Sequence, residues 1–324
     1  MTESKAILSV RGLKKYFASG EGFLFSRGGY IRAVDDISFD IFEGETFGLV
    51  GESGCGKTTT GRCIVGLEMP TAGEIHFQGK RVTGAEKEHL RGIRREIQMI
   101  FQDPLASLNP RMKVGDVIAE PMAVHKIAFG KEREERVAEL MLLVGLEPKA
   151  KDQYPHQFSG GQRQRVGIAR ALASAPSLIV ADEPVSSLDV SVQSQVLNLL
   201  MELQEKRGLT YFLISHDLRV LGNISDRIAV MYGGKLVELA DGSHIAFHPQ
   251  HPYTRALFSS VPAVEPRAKR MRVLLRGEPP SLLSPPSGCR FSSRCSMAEE
   301  KCFHHSPPWR EVESGHMVSC HRVP

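Results

Sequence analysis

The segment Gly51–Thr58, which reads GESGCGKT, places the strongest constraint on the fold of this 324-residue chain. It fits the pattern G-x-x-x-x-G-K-[ST], in which small residues let successive backbone N–H groups turn inward around a phosphate. The apolar run TFGLV precedes the motif, and a helical pattern that begins near Lys57 follows it. Because this strand–loop–helix context is the one that the motif requires, we expect a phosphate-binding loop in an α/β domain.

The residue types within this loop predict separate roles. Lys57 would reach the β- and γ-phosphates of a nucleotide, and the Thr58 hydroxyl would ligate Mg²⁺. The loop residues expected to contact the nucleotide are Gly51, Ser53, Gly54, Gly56, Lys57, Thr58 and Thr59.

A second candidate site lies where the apolar run LIVAD ends in two carboxylates, Asp182 and Glu183. A buried strand of an α/β sheet presents its ligands at its carboxyl end. Asp182 is therefore a candidate to hold Mg²⁺, and Glu183 is a candidate to polarise the water that attacks the γ-phosphate.

The order of hydrophobic patterns predicts an α/β protein with an inserted helical part. Short β-branched runs such as SLIVAD and TYFLIS alternate with longer amphipathic stretches, as expected for buried parallel strands and helices. Short antiparallel strands are expected earlier, at AILSV, IRAVDDISFDI and GEIHFQG. Strand signals stop over about 103–174, where Lys131–Val144 reads as a charged-then-apolar helix, so this segment is a candidate helical subdomain.

Composition and charge narrow the class of protein. With 41% hydrophobic and 24% charged residues, the chain has the composition of a globular protein, and it contains no apolar run long enough to span a membrane. The start MTESKAILSV lacks the build of a secretion signal, so we expect the chain in the cytosol. The formal charge of +4 falls entirely within 263–324, which predicts two regions, 1–262 and 263–324.

Further motifs, taken with these two, resemble the ATP-binding subunit of an ABC transporter. Residues 158–162, FSGGQ, are similar to the signature sequence of that family, with Phe158 where leucine is usual. Gln102 in FQDP resembles the Q-loop, Ser187–Asp189 the D-loop, and His216 in ISHD the switch histidine. These motifs follow the order of the family. The resemblance implies a RecA-like core, an antiparallel β subdomain and an inserted helical subdomain.

The same resemblance implies how the site works. His216 would contact the γ-phosphate, and Gln102 would contact Mg²⁺ and the lytic water. Two such chains would pair head-to-tail, so that the signature of one chain caps the ATP of the other. The partner's ATP would be contacted by Ser159, Gly160, Gly161, Gln162 and Asp189. An aromatic residue would stack on adenine, for which Phe17 is preferred over Tyr16.

Two longer stretches, Ala33–Leu67 and Tyr232–Pro262 with HPQHPYTRAL, look like the oligopeptide/dipeptide importer group. This group also serves nickel and other small solutes, so membership leaves the solute open. It implies a peripheral ATPase on the cytoplasmic face of the inner membrane, two transmembrane permease subunits, a paralogous second ATPase and an external solute-binding protein. The rival interpretation is a soluble ABC ATPase that acts on nucleic acid. The small net charge argues against this interpretation, because binding to nucleic acid relies on neutralising phosphates with Lys and Arg.

The tail carries four of the six cysteines, Cys289, Cys295, Cys302 and Cys320, behind a proline-rich linker. This pattern looks like the C-terminal region of the same importer ATPases, for which a [4Fe–4S] cluster is implied. Four thiolates also suit Zn²⁺, and the spacing matches neither zinc ribbons nor ferredoxins. A histidine could replace one cysteine as a ligand, the candidates being His304, His305, His316 and His321. Unliganded thiols stay the third alternative, whereas disulfides are disfavoured in the cytosol.

Overall fold

The structure is a computed structural model that describes residues 5–19, 29–259, 275 and 277–323. The boundary predicted between 262 and 263 lies outside the described residues. Within the described part of the chain, no helix has both the length and the apolar character needed to cross a membrane. The contacts divide the chain into two units, which we call the loop unit and the helical unit. The loop unit comprises Ala6–Ile41, Thr46–Thr83 and Ser215–Pro324, and the helical unit comprises Met1–Lys5, Phe42–Glu45 and Gly84–Ile214.

The loop unit contains most of the strands. Its strands are β1 Ala6–Ser19, β2 Gly29–Phe42, β3 Thr46–Val50, β4 Ala72–Phe77, β5 Lys80–Arg81, β9 Arg227–Tyr232, β10 Lys235–Asp241, β11 Arg310–Glu313 and β12 His316–Val318. Its helices are α1 Lys57–Ile64, α8 Leu218–Ile224, α9 Gly242–Phe247, α10 Pro252–Ser259 and α11 Glu300–His304, with a 3₁₀ turn at Ser292–Arg294.

Two sheets organise the loop unit. One has the order β2-β1-β4-β5, in which β1 and β4 run antiparallel. In the other, β3 pairs with β9 in parallel, and β9, β10, β12 and β11 continue as antiparallel neighbours. The tail hairpin β11–β12 therefore extends the sheet that carries β3, because β12 pairs with β10.

The helical unit is built around three parallel strands. These are β6 Ile97–Ile100, β7 Leu178–Asp182 and β8 Thr210–Ser215, with β7 paired to both neighbours. The helices are α2 Lys87–Glu96, α3 Pro104–Ser107, α4 Val114–Val124, α5 Gly130–Leu143, α6 Gly160–Leu172 and α7 Val190–Arg207, with 3₁₀ turns at Pro148–Asp152 and Pro155–Gln157. Burial of all five β7 residues explains its continuous apolar pattern, since a parallel strand packs on both faces.

The structure agrees with the α/β prediction and corrects several element boundaries. The helix expected over Lys131–Val144 is α5, displaced by one residue. The strand expected at AILSV is longer, because β1 continues to Ser19 through a register irregularity between Arg11 and Lys14. Polar residues interrupt the alternation in this second half, which hid the strand from a hydrophobic pattern.

Candidate functional site

The phosphate-loop motif of the loop unit connects β3 to α1, as the sequence predicts. Gly51 and Gly56 are fixed by close backbone approaches. A Cβ atom on Gly51 would lie 2.1 Å from the Met231 carbonyl oxygen, and one on Gly56 would lie 2.1 Å from the Ala33 carbonyl oxygen. Gly56 also has φ of 111°, a conformation that favours glycine. No larger residue fits at either position, so the small residues shape the backbone of this loop.

The Lys57 side chain lies inside the loop rather than in solvent. Its Nζ donates hydrogen bonds to the Gly51 carbonyl oxygen at 2.8 Å and to the Glu52 carbonyl oxygen at 3.0 Å. The residue is only 4% exposed. A buried ammonium group on a backbone cradle fits the chemistry of a triphosphate, which supplies anionic oxygens.

The other predicted loop residues lie around this cradle. Ser53 and Gly54 are exposed, whereas Thr58 and Thr59 are half-buried at the start of α1. Cys55 is buried, and burial raises the pKa of its thiol. A protonated, buried thiol is a poor nucleophile, so Cys55 fills space in the loop.

Two residues distant in sequence hold Glu52 of the loop. The backbone N–H of Glu52 donates to the Tyr253 hydroxyl at 2.9 Å. The Arg294 guanidinium donates to both carboxylate oxygens of Glu52, at 2.7 and 3.1 Å, with its side chain 7% exposed. The sequence alone does not point to Arg294 or Tyr253. No local pattern marks contacts with Glu52 that span 242 and 201 positions.

We expect the Arg294→Ala variant to bind ATP roughly three- to tenfold more weakly, because a charge-assisted pair is removed and the Glu52 carboxylate is left beside an anionic ligand. Titration with ATP measures this change. The Glu52→Gln substitution in the same chain should restore affinity, since it removes the uncompensated charge. Arg81→Ala, which breaks the exposed pair with Glu74, is the matched control, and an Arg294→Ala affinity equal to that of this control would contradict the expectation.

The helical unit brings two of the predicted catalytic residues together. Gln102 follows β6 and Glu183 follows β7, and these parallel strands pair with Ile100 opposite Ala181. The Gln102 Nε2 atom consequently donates a hydrogen bond to Glu183 Oε2 at 3.0 Å. Asp182, the last residue of β7, is 3% exposed.

The Glu183 backbone has an unusual conformation. Its φ is 46°, in the left-handed region that residues other than glycine seldom adopt. Its N–H donates to the Ile214 carbonyl oxygen at 2.9 Å, and its own carbonyl oxygen accepts from the Ser186 N–H at 3.2 Å and the Ser186 hydroxyl at 3.1 Å. These bonds hold a strained backbone, which is typical of residues whose side chain must point in one functional direction.

The signature residues begin helix α6. Ser159 Oγ accepts from the Gln162 N–H at 3.3 Å, and Gln162 Oε1 accepts from the Ser159 N–H at 2.9 Å, which forms a capping box. Helix α6 therefore starts at Gly160, directly after this cap. A Cβ on Gly161 would lie 2.5 Å from Val192 Cγ1, so this glycine lets α6 and α7 pack closely.

Three further residues that the sequence predicts to contact a nucleotide are Asp189, His216 and Phe17. Asp189 is exposed at the N-cap of α7. His216 is exposed directly after Ser215, whose hydroxyl accepts the Asp217 N–H at 2.9 Å. Phe17 is half-buried near the end of β1, with the Lys15 Nζ 4.7 Å from its ring centroid.

Comparisons with known proteins decide the family. The ABC transporter family model matches residues 34–186, and the model for the oligopeptide/dipeptide transporter C-terminal region matches residues 237–302. The chain is 50% identical to the oligopeptide transport ATP-binding protein AppF of Bacillus subtilis over 98% of this chain and 97% of the relative. It is 45% identical to the dipeptide transport ATP-binding protein DppF of Haemophilus influenzae over 99% and 98%.

The chain belongs to the ABC transporter ATP-binding proteins. A solved structure of a dimeric ATP-binding cassette, in a post-hydrolysis state with ADP and Pi, superposes on this ABC ATPase with a TM-score of 0.65 and 30% identity, covering 72% of this chain and 98% of that one. ATP and Mg²⁺ are accordingly the ligands of the ABC ATPase. The phosphate cradle and the buried Lys57 fit this ligand on their own chemistry.

The four tail cysteines of the ABC ATPase lie in one part of the loop unit. Cys289 and Cys295 flank the 3₁₀ turn, Cys302 lies on α11, and Cys320 follows β12. The Cys289 N–H donates to the Cys302 carbonyl oxygen at 2.8 Å. All are free thiols, and burial, together with the neighbouring Cys320, Cys302 and Cys295, raises the pKa of Cys289 to about 11.

The histidines considered as substitute ligands have other contacts. His304 lies 3.1 Å from Glu300, His316 lies 2.7 Å from Glu238, and His321 Nε2 lies 2.9 Å from the His305 carbonyl oxygen.

Proposed function

We propose that this ABC ATPase powers an importer for oligopeptides or dipeptides. The proposal rests on the whole-chain identity to oligopeptide and dipeptide transport ATP-binding proteins, which includes the C-terminal region characteristic of that group. Nickel or another small solute is the alternative cargo. Because the ATPase subunit does not select the solute, its own residues leave this choice to the permease and the external binding protein.

The proposed work of the site follows from the chemistry of its residues. Lys57 and the backbone N–H groups of the loop would hold the phosphates, and Thr58 with Asp182 would hold Mg²⁺, which neutralises phosphate charge when bound. Glu183 would accept hydrogen bonding from the attacking water and orient it. The amide of Gln102 holds the Glu183 carboxylate in place by donating to Oε2 at 3.0 Å, which supports this role.

The adenine contact is assigned to Phe17 rather than Tyr16. The Tyr16 hydroxyl donates to Asp35 Oδ1 at 2.5 Å, and burial together with this bond raises the pKa of Tyr16 to about 12. The half-buried Tyr16 is therefore held by Asp35, whereas the neighbouring Phe17 ring has no polar group to satisfy.

We assign the signature residues Ser159, Gly160, Gly161 and Gln162, with Asp189, to the ATP bound by a second ATPase subunit, and His216 to the γ-phosphate. The dimeric cassette among the similar solved structures supports pairing of two such chains. A paralogous partner chain is proposed, on two permease subunits at the cytoplasmic face of the inner membrane. Regions 1–262 and 263–324 would act as the ATPase and its metal-binding extension.

A [4Fe–4S] cluster is proposed for the four tail cysteines. Cys295, Cys302 and Cys320 each raise the pKa of Cys289, which supports four thiols gathered in one place. Four thiolates are the common ligand set of such a cluster. Zn²⁺ stays the alternative.

We expect the full chain, expressed with its genomic neighbours and purified anaerobically, to carry about four irons and to copurify with integral membrane subunits. Cys302→Ser should lose the iron, because it replaces a thiolate ligand with a weaker hydroxyl. Cys63→Ser is the matched control, since Cys63 is also buried but lies on α1. Zinc in place of iron, or an iron content unchanged by Cys302→Ser, would contradict the proposed cluster. A soluble preparation that contains bound nucleic acid and no membrane subunits would contradict the proposed role in an importer.

A further inference from the structure

A second group of metal-binding residues lies in the loop unit, formed by His244 on α9, Glu313 at the end of β11 and His316 at the start of β12. Each offers one ligand atom, and these atoms all lie within 4.8 Å of one another. The rings of His244 and His316 meet edge to face, with centroids 5.3 Å apart. None of these residues has a role in the nucleotide chemistry described above.

The buried member of the group carries an unsatisfied nitrogen. His316 is 2% exposed, and its Nδ1 has no hydrogen-bond partner in the described part of the chain. A buried polar atom without a partner costs free energy, so such atoms usually have an unseen ligand. His244 Nε2 is likewise buried without a hydrogen bond, although Glu313 Oε2 lies 3.2 Å away.

The other nitrogen of His316 is held by a buried carboxylate. His316 Nε2 lies 2.7 Å from Glu238 Oε1, and Glu238 is fully buried. Glu238 is itself fixed by the backbone N–H groups of Gln250 at 2.7 Å and His251 at 2.9 Å. When Nε2 carries the proton and donates a hydrogen bond to Glu238, Nδ1 is the unprotonated nitrogen and carries the lone pair. This carboxylate–histidine arrangement is the one that orients histidines which bind metals.

We propose that His244, Glu313 and His316 bind a divalent transition metal ion, with Zn²⁺ as the best match to two imidazoles and one carboxylate. Zn²⁺ takes this ligand set with water as a fourth ligand. The side chains of His244 and Glu313 are 38% and 56% exposed, so small rotations close the remaining distance to the ion. The ion fastens the β11–β12 hairpin of the tail to α9.

Binding of Co²⁺ to the full chain tests this site without relying on ATPase activity. Co²⁺ at a histidine and carboxylate site gives weak visible bands without the strong near-ultraviolet band of thiolate ligands, which separates it from the tail cysteines. We expect His244→Ala and, independently, Glu313→Gln to weaken this binding at least tenfold. His76→Ala, which removes a half-buried histidine 3.9 Å from Glu74, should bind Co²⁺ as the unaltered chain does.

Thermal unfolding supplies a second measurement. A metal that binds only the folded chain raises the melting temperature, so Zn²⁺ should stabilise the unaltered chain and the His76→Ala variant more than it stabilises His244→Ala, in which only the tail cysteines remain to bind it. Equal Co²⁺ binding by the unaltered chain and His244→Ala would overturn the proposal, as would bands from thiolate ligation only. Both outcomes leave the ATPase assignment untouched, because they concern residues outside the nucleotide motifs.

Discussion

Replacing Glu183 with glutamine is expected to reduce ATP hydrolysis at least a hundredfold while leaving ATP binding intact. The amide keeps the shape of the side chain but cannot polarise the attacking water, and loss of such a group typically costs two to four orders of magnitude. The backbone bond to the Ile214 carbonyl oxygen does not involve the side chain and should persist. Phosphate release and ATP affinity, measured on the same preparation, separate the two effects.

The control for this variant is Glu202→Gln on α7, which removes an exposed carboxylate paired with Lys206 at 3.1 Å. It should hydrolyse ATP at the normal rate. Because binding survives in Glu183→Gln, ATP should hold two chains together persistently, which size-exclusion chromatography would detect. Normal turnover in Glu183→Gln would remove the catalytic assignment of this residue.

Replacing Lys57 with alanine is expected to weaken ATP binding by roughly 10- to 100-fold. A hydrogen bond to a charged group contributes about 1.5–3 kcal/mol, which corresponds to that range of affinity. The effect is expected on binding rather than on the chemical step, because the Lys57 ammonium lies in the phosphate cradle, on the Gly51 and Glu52 carbonyl oxygens. Titration with a fluorescent ATP analogue provides the dissociation constant.

Two further variants show whether the Lys57 effect is due to charge. Lys57→Met keeps the length of the apolar stem and should bind ATP as weakly as Lys57→Ala does. Lys80→Ala removes an exposed lysine on β5 and should change neither affinity nor melting temperature. An unaltered ATP affinity in both Lys57 variants would contradict the phosphate-loop role.

The sequence predicts those parts of the site that depend on neighbouring residues. The phosphate loop is marked by its own small residues, and Glu183 is marked by the apolar strand that ends in two carboxylates, whereas its contact with Gln102 is first given by the structure. The capping box at Ser159 is also legible, because serine is followed three residues later by glutamine. Each of these features is encoded within a few positions.

Contacts between distant segments escape such reasoning. The pairing of Arg294 with Glu52 depends on how the tail folds back within the loop unit, and an arginine in a basic tail carries no sign of its partner. The group around His316 was hidden for the same reason, because its three members come from separate elements. Buried polar partners of this kind are determined by tertiary structure, so they become visible only with coordinates.

The two arginines next to the cysteines make the tail an unsuitable part to exchange. Arg294 pairs with Glu52, and Arg290 pairs with the buried Asp35 while donating to the Gly233 carbonyl oxygen at 2.8 Å. A chimera that takes its C-terminal region from another protein would deprive Glu52 of its arginine and leave Asp35 with the more distant Lys235 at 4.0 Å, unless the donor supplies matching arginines. Engineered swaps of this extension must therefore carry the partner segments around residues 35 and 52 along with it.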